Sequence, residues 1–219
     1  MRRGAVPPHG QKTTEIVTAA QRNSARQSGL FDAPALPEGF CYSEEVLNAQ
    51  EERRLLDRFA LLPFKPFEFH QYLGNRRIVS FGFRYDYSER ALRPSAPLPG
   101  CLKGLRETAA HFSGVEAAEL RQVLVTEYAP NAGIGWHRDK PIFRDVIAFS
   151  FLAPCVLRFR RRSDADWERR KQILSPRSAY LLSGSARREW EHSIPPVREL
   201  RYSVTFRNFV EGDAARERR

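Results

Sequence analysis

Residues 200–207 read Leu-Arg-Tyr-Ser-Val-Thr-Phe-Arg, and this strict alternation constrains the chain more than any other stretch of it. A period of two puts Leu200, Tyr202, Val204 and Phe206 on one face of an extended strand and Arg201, Ser203, Thr205 and Arg207 on the other. A helix would scatter both sets around its axis. One face is suited to packing, while the other carries two guanidiniums at most about 20 Å apart by strand rise, with hydroxyls between them. On an ordinary sheet surface such a face is solvated. Beside a metal, it can instead grip a small dicarboxylate, because guanidinium and carboxylate pair through two parallel hydrogen bonds.

Strand-like segments also fill the region before it. Residues 122–128, 146–152, 155–161, 171–174 and 178–182 are short and rich in β-branched, apolar or aromatic groups, and Pro, Gly or charged turns divide them. Residues 77–83, after the Gly74-Asn75 turn, read as a further strand, whereas residues 64–72 only mix aromatic with polar groups. Two helices precede the main strand region. Asn48 and Glu51 form a capping-box pattern ahead of Leu55, Leu56 and Phe59, with Pro63 as the stop. Leu102, Leu105, Ala109 and Phe112 fall at helical spacing and end at Ser113-Gly114, after a linker bearing Pro94, Pro97 and Pro99. The expected fold is mainly β (α+β): a double-stranded β-helix, or jelly roll, with the N-terminal helices packed on one sheet.

A chain of 219 residues suits one domain of this kind. Three parts are expected: a disordered basic arm over 1–34, the folded domain over 35–211 and a charged tail over 212–219. The arm carries Arg2, Arg3, Lys12, Arg22 and Arg26 against Glu15, a balance that also has some transit-peptide character. Lys and Arg number 36 against 26 Asp and Glu, and the net charge of +10 favours an anionic partner such as nucleic acid. Cys41, Cys101 and Cys155 are odd in number and widely spaced, so free thiols in an intracellular, cytoplasmic setting are expected rather than a disulfide framework. No apolar run is long enough for a membrane span. The protein is expected to act as a monomer without a membrane partner.

The chemistry-bearing pattern is His137-Arg138-Asp139, followed 53 residues after its Asp by His192 in Trp-Glu-His-Ser-Ile-Pro-Pro-Val. On an extended strand His137 and Asp139 would project to the same side, and Arg138 to the other. Two imidazoles and one carboxylate on one face of an ion leave the opposite face free for a cosubstrate and dioxygen, as non-haem Fe(II) oxygenases require. A lone His-x-Asp more often has no metal, and a lone His is more often a core or surface residue. The arginine-faced strand changes that balance.

Taken together, Tyr128-Ala129-Pro130-Asn131, His137-Arg138-Asp139-Lys140, His192 and the closing Arg201-to-Arg207 strand resemble the AlkB-type Fe(II)/2-oxoglutarate-dependent dioxygenases, oxidative demethylases of nucleic acids. The resemblance spans about residues 120–210 and continues more weakly to about residue 38. It implies Fe(II), 2-oxoglutarate and dioxygen as cofactors. His137, Asp139 and His192 would bind iron, Tyr128 and Arg201 the far carboxylate of 2-oxoglutarate, and Arg207 the region near its metal-binding end. Thr126 and Ser203 stand where relatives have Asn, and both keep a hydrogen-bonding group in the cosubstrate site. Arg188, four residues before the second His, would have a structural or catalytic role. Pro141 occupies a position where some DNA-repair relatives carry an acid that reads the damaged base, so their base preference does not transfer.

The expected substrate is an N-alkylated base in DNA or RNA, as in repair of alkylation damage, with formaldehyde, succinate and CO2 as products. A base in a duplex must be flipped out or presented on a single strand. Candidates to stack it and hold phosphate are Phe67, Phe69, His70, Tyr72, Arg76, Arg77, Arg84 and Tyr85; alternatively the aromatics pack in the core and the arginines are solvated. The run Arg158-Phe159-Arg160-Arg161-Arg162 and the pair Arg187-Arg188 are further basic clusters, and either can also be a solvated face. Two other functions compete: the same cofactors turned on a protein or small molecule, and a non-catalytic basic jelly roll that binds nucleic acid.

Overall fold

The computed structural model describes residues 35–69, 72–86, 89, 91–164 and 166–210, with backbone alone at 68, 69 and 72–74. The arm over 1–34 and the tail over 212–219 lie outside the described residues. The strands are β1 (Phe40–Ser43), β2 (Lys65–Phe69), β3 (Tyr72–Phe81), β4 (Phe83–Asp86), β5 (Ala91–Pro94), β6 (Gln122–Tyr128), β7 (Ile134–His137), β8 (Phe143–Phe151), β9 (Cys155–Ser163), β10 (Asp166–Leu174), β11 (Ala179–Leu182), β12 (Glu191–Ile194) and β13 (Arg201–Phe209). The helices are α1 (Ala49–Phe59), α2 (Lys103–Ser113) and the short α3 (Gly184–Arg188).

Seven strands form one sheet in the order β1-β11-β8-β13-β6-β3-β2, and β10-β9-β12-β7 form a second. The small β4-β5 ribbon stands apart from both. This is the expected jelly roll. The expected closing strand is β13, and it lies in the middle of the large sheet, antiparallel to β6 on one side and β8 on the other.

Both expected helices form where their stop and start signals lie. The Asn48 side chain accepts from the Glu51 N–H at 2.9 Å, and the Glu51 carboxylate accepts from the Asn48 N–H at 2.9 Å, which completes the capping box of α1. Gly114 ends α2 in the left-handed region, at φ 73°. Phe59 of α1 and Leu105 and Ala109 of α2 then bury against Val123, Val125, Ile147, Phe149, Val204 and Phe206 on the outer face of the large sheet. Phe59 meets the Phe151 ring edge-on at 5.2 Å. A second core, with Phe40, Leu157, Phe159, Leu174, Trp190 and Ile194, fills part of the space between the sheets.

The sequence reading needs correction at several places: the strand expected over 171–174 begins at Asp166, and Pro94, read as linker, closes strand β5. Residues 64–72, read as a mixture, contain strand β2, which adds an edge to the large sheet. The strand expected over 77–83 begins five residues earlier and breaks at Gly82, whose φ of 73° brings its Cα so near the Arg121 carbonyl that a Cβ would lie 2.0 Å from the oxygen. β2 is the edge and β3 its inner neighbour; pairing of β2 with β3 and of β3 with β6, rather than alternation alone, holds the two in place.

Candidate metal and cosubstrate site

A cavity of about 170 Å³ opens between the two sheets. Alternation decides which side chains reach it. Arg76, Ile78 and Ser80 of β3, Gln122, Leu124, Thr126 and Tyr128 of β6, and Arg201, Ser203, Thr205 and Arg207 of β13 all line it. Their neighbours in sequence face the helices. The solvated alternative for the polar face of β13 is therefore excluded: Arg201 is 1% exposed.

The small sheet supplies the imidazoles. His137 and His192 are direct cross-strand partners on β7 and β12, with ring centroids 4.2 Å apart. Residues 55 apart in sequence thus become neighbours through one antiparallel register. Asp139 is not on the strand, which ends at His137; it sits in the following turn, and so the expected extended His-x-Asp geometry is replaced by a strand end and a loop. What places its carboxylate is Arg207, whose Nε and Nη2 donate to one Asp139 oxygen at 3.2 and 2.9 Å. The other oxygen faces His192 Nε2 at 3.5 Å. One ligand atom from each of His137, Asp139 and His192 lies within 4.8 Å of the others.

The protonation states suit a cation. Burial pushes His192 down to about 3, with the nearby His137 adding to the effect, so its imidazole is neutral at physiological pH and keeps a lone pair. Burial alone would raise Asp139, but Arg207, His192, His137 and Arg187 outweigh it and hold the carboxyl below the usual carboxylate range. His137 Nδ1 lies 2.9 Å from the Gly135 carbonyl; donation there leaves Nε2 as the free nitrogen. The buried His192 Nδ1 has no hydrogen-bond partner among the described residues.

Deeper in the cavity, Arg201 donates from Nη2 to Ser150 Oγ at 3.0 Å, and its guanidinium lies 4.7 Å from the Tyr128 ring centroid. Its Nε and Nη1 are buried without a hydrogen-bond partner among the described residues. Two orphaned donors on one buried guanidinium leave a positive fork that fits a carboxylate. Thr126 and Ser203 are buried cross-strand neighbours in the same lining.

The other sequence candidates divide. Arg76, Tyr85 and Phe67 line the cavity, Arg76 lying 3.9 Å over the Phe67 ring and donating to the Gly133 carbonyl at 3.4 Å. Arg77 faces the helix side and pairs with Glu127 at 2.7 Å, and Arg84 is exposed with Asp86 as its partner, so the structure brings neither to the cavity. His70 lies outside the described residues, and for Phe69 and Tyr72 only the strand backbone is described. Arg188 is exposed and does not line the cavity. Its neighbour Arg187 is the buried one: it donates to the carbonyls of Lys140 and Phe143 and so holds the turn that carries Asp139.

Sequence reasoning missed Gln122 and Tyr180, and took Arg187 only as one of a basic pair. Gln122 Oε1 accepts from Arg207 Nη1 at 2.8 Å and aims that guanidinium at Asp139. Tyr180 lines the cavity, where burial raises its phenol above the ordinary value. The period of two on β11 would have paired it with the inward Leu182.

A double-stranded β-helix with two imidazoles and a carboxylate at the cavity wall follows the plan of a metal-dependent oxygenase. The sequence pattern of the 2OG-Fe(II) oxygenase superfamily matches residues 43–207, and the chain belongs to this superfamily, as an AlkB-type member. Its members use Fe(II), 2-oxoglutarate and dioxygen. The mouse protein tRNA (carboxymethyluridine(34)-5-O)-methyltransferase ALKBH8 is 27% identical over 197 residues, which cover 85% of this chain and 28% of that protein. The Arabidopsis thaliana alkylated DNA repair protein ALKBH8 homolog is 30% identical over 147 residues, covering 56% of this chain and 42% of the relative. The chain thus spans less than half the length of either. Among solved structures, OsALKBH1 superposes with a TM-score of 0.62 at 15% identity, covering 80% of this chain and 98% of that one. A prolyl hydroxylase from Trichoplax adhaerens gives 0.56 at 15% identity, covering 83% and 88%. Both are likenesses of fold.

Proposed function

We propose that this protein oxidatively demethylates N-alkylated bases in DNA or RNA, with iron held by His137, Asp139 and His192. The observation that carries the reading is the pairing of these convergent ligand atoms with the two unpartnered donors of Arg201 in one cavity. Arg201 and Tyr128, with Thr126 and Ser203 beside them, would hold the far carboxylate of 2-oxoglutarate. Arg207 keeps Asp139 ionised and oriented, and Arg187 fixes the turn behind it. Bound Fe(II), 2-oxoglutarate and dioxygen together supply the oxidation that converts an N-methyl group to a hydroxymethyl group, which leaves as formaldehyde while succinate and CO2 form. The chain's own work is placement and exclusion of water. Phe67, Arg76 and Tyr85 line the same cavity and are the residues we assign to the entering base, with Phe69, His70 and Tyr72 as further candidates.

The names of the relatives support a nucleic-acid substrate, one referring to tRNA and the other to alkylated DNA. The net charge of +10 agrees with it. Formaldehyde release from a panel of singly methylated DNA and RNA oligonucleotides, beside methylated peptides, with Fe(II) and 2-oxoglutarate, tests the reading. At least one oligonucleotide should turn over. Turnover of peptides alone would transfer the site to a protein substrate.

A further inference from the structure

The outer face of the small sheet, opposite the cavity, carries an arrangement that the proposed reaction does not use. On β9, Leu157 and Phe159 point into the core, so Arg158, Arg160 and Arg162 point outward. Their cross-strand partners on β10 are Lys171, Arg169 and Trp167. On the other side, β12 places Ser193 beside Arg158 and Glu191 beside Arg160. Among the described residues, five cations thus share one face with one neutralising carboxylate, and two pairs, Arg160 with Arg169 and Arg158 with Lys171, set like charges directly opposite. Such pairs destabilise a sheet. Nothing in the fold requires them, since the face is not core.

The guanidiniums are also held in place. Arg160 lies between two indoles, 4.5 Å from the Trp136 ring and 4.3 Å from Trp167, while its Nε donates to Glu191 at 2.6 Å. Arg158 stacks 5.0 Å over Trp136, and its Nε donates to Ser193 Oγ at 3.1 Å. Arg162 is exposed and lies 5.7 Å over Trp167. Alternate residues on a strand stand about 7 Å apart, so Arg158, Arg160 and Arg162 form a ladder of fixed positive forks, with flat aromatic and guanidinium surfaces available for stacking.

We propose that this face binds a single-stranded stretch of nucleic acid through its phosphates, with bases stacking on the Trp–Arg platform. The sheet backbone separates the face from His137 and His192, so it would hold a part of the polymer remote from the reacting base. Only the choice of polymer rests on the proposed function; a ladder of rigid guanidiniums needs a repeating anion in any case, and aromatic platforms suit exposed bases rather than a closed duplex.

Binding of an unmethylated, fluorescently labelled single strand to the full chain, followed by anisotropy across a salt series, tests this. The triple variant R162E/R169E/K171E should bind at least about tenfold more weakly, and its dependence of log affinity on log salt should flatten by about 2, the share of three phosphate contacts on a single strand. Its melting temperature should stay level or rise, because the carboxylates introduced at 169 and 171 stand opposite Arg160 and Arg158, so weaker binding will not reflect unfolding. Trp167→Ala should erase the preference for single strand over duplex. Unchanged affinity and salt slope in the triple variant would overturn the proposal, and so would binding of phosphatidylserine vesicles in place of oligonucleotides. The two readings fail separately: lost binding in the triple variant with no formaldehyde from any oligonucleotide refutes the reaction alone, whereas formaldehyde release with unchanged binding refutes this surface alone.

Discussion

The two faces of the large sheet are built from the same strands yet obey opposite rules. Along β13, Tyr202, Val204 and Phe206 pack beneath α1 and α2, while Arg201, Ser203, Thr205 and Arg207 line the cavity. The first face is mainly apolar, and its buried Glu127 is paired with Arg77 and Tyr202. The second buries charge, leaves Arg201 Nε and Nη1 without a partner among the described residues, and looks across the cavity at the two imidazoles of the small sheet, 4.2 Å apart. Stability comes from one face, and the other spends part of it on a preformed, electrically uneven cavity. The contrast holds one residue at a time, since each step along the strand crosses from one regime to the other.

Substitutions on the two faces should therefore separate activity from stability. The largest expected effect is at Asp139: Asp139→Asn should cut formaldehyde release by about a hundredfold or more and abolish stoichiometric Fe(II) binding, measured anaerobically by metal titration. Arg201→Met should raise KM for 2-oxoglutarate by about a hundredfold, the loss of two charged hydrogen bonds. In denaturant it should be as stable as the native chain or more so, because a buried cation with orphaned donors is exchanged for an apolar side chain. If Arg201→Met instead unfolds the protein, the contrast between the faces is broken.

On the other side, Phe206→Ala should lose about 3–5 kcal/mol in urea unfolding while leaving KM near its native value in the fraction that is folded. Gly133 tests the border between the regimes. A Cβ there would meet the Ile194 carbonyl oxygen at 2.7 Å, where the loop before β7 crosses β12, so Gly133→Ala should shift the His137–His192 pair and lower activity by about tenfold. The smallest effect belongs to Glu127 on the helix side, whose carboxyl the Arg77 hydrogen bond lowers despite partial burial, with Tyr202 assisting. A lowered folded value means that the pair stabilises above the ordinary Glu range of about 4.3 and that this contribution fades as pH falls through the folded value. With Arg77 half exposed, Glu127→Gln should cost less than about 1 kcal/mol near neutrality and should reduce the acid dependence of stability.

Much of this was legible beforehand where a local rule acts alone. The capping box and Gly114 delimited both helices, and β6 runs over the expected 122–128. The alternation of residues 200–207 sorted the side chains of β13 to their two faces, and its two arginines do reach one cavity. The edge strand β2 was not legible, since its pairing with β3 depends on the sheet already being there. The substrate candidates divided for a similar reason. Arg76 and Arg77 are equivalent in composition, and only the register with Tyr128 and Glu127 sends one into the cavity and the other out to the helices. In the pair Arg187-Arg188, the turn of α3 decided which arginine would be buried.

Residue order by itself determined the periodicities, the caps and the presence of two imidazoles, one carboxylate and two aligned arginines, because these follow from spacing along one strand or one turn. Tertiary structure decided what those groups do. It brought His137 opposite His192, turned Asp139 off its strand and onto Arg207, and left Arg201 buried with donors to spare. The physical reason is that spacing sets direction, whereas desolvation and pairing depend on what lies across the cavity, as with Arg207 and Asp139, 68 residues apart in sequence.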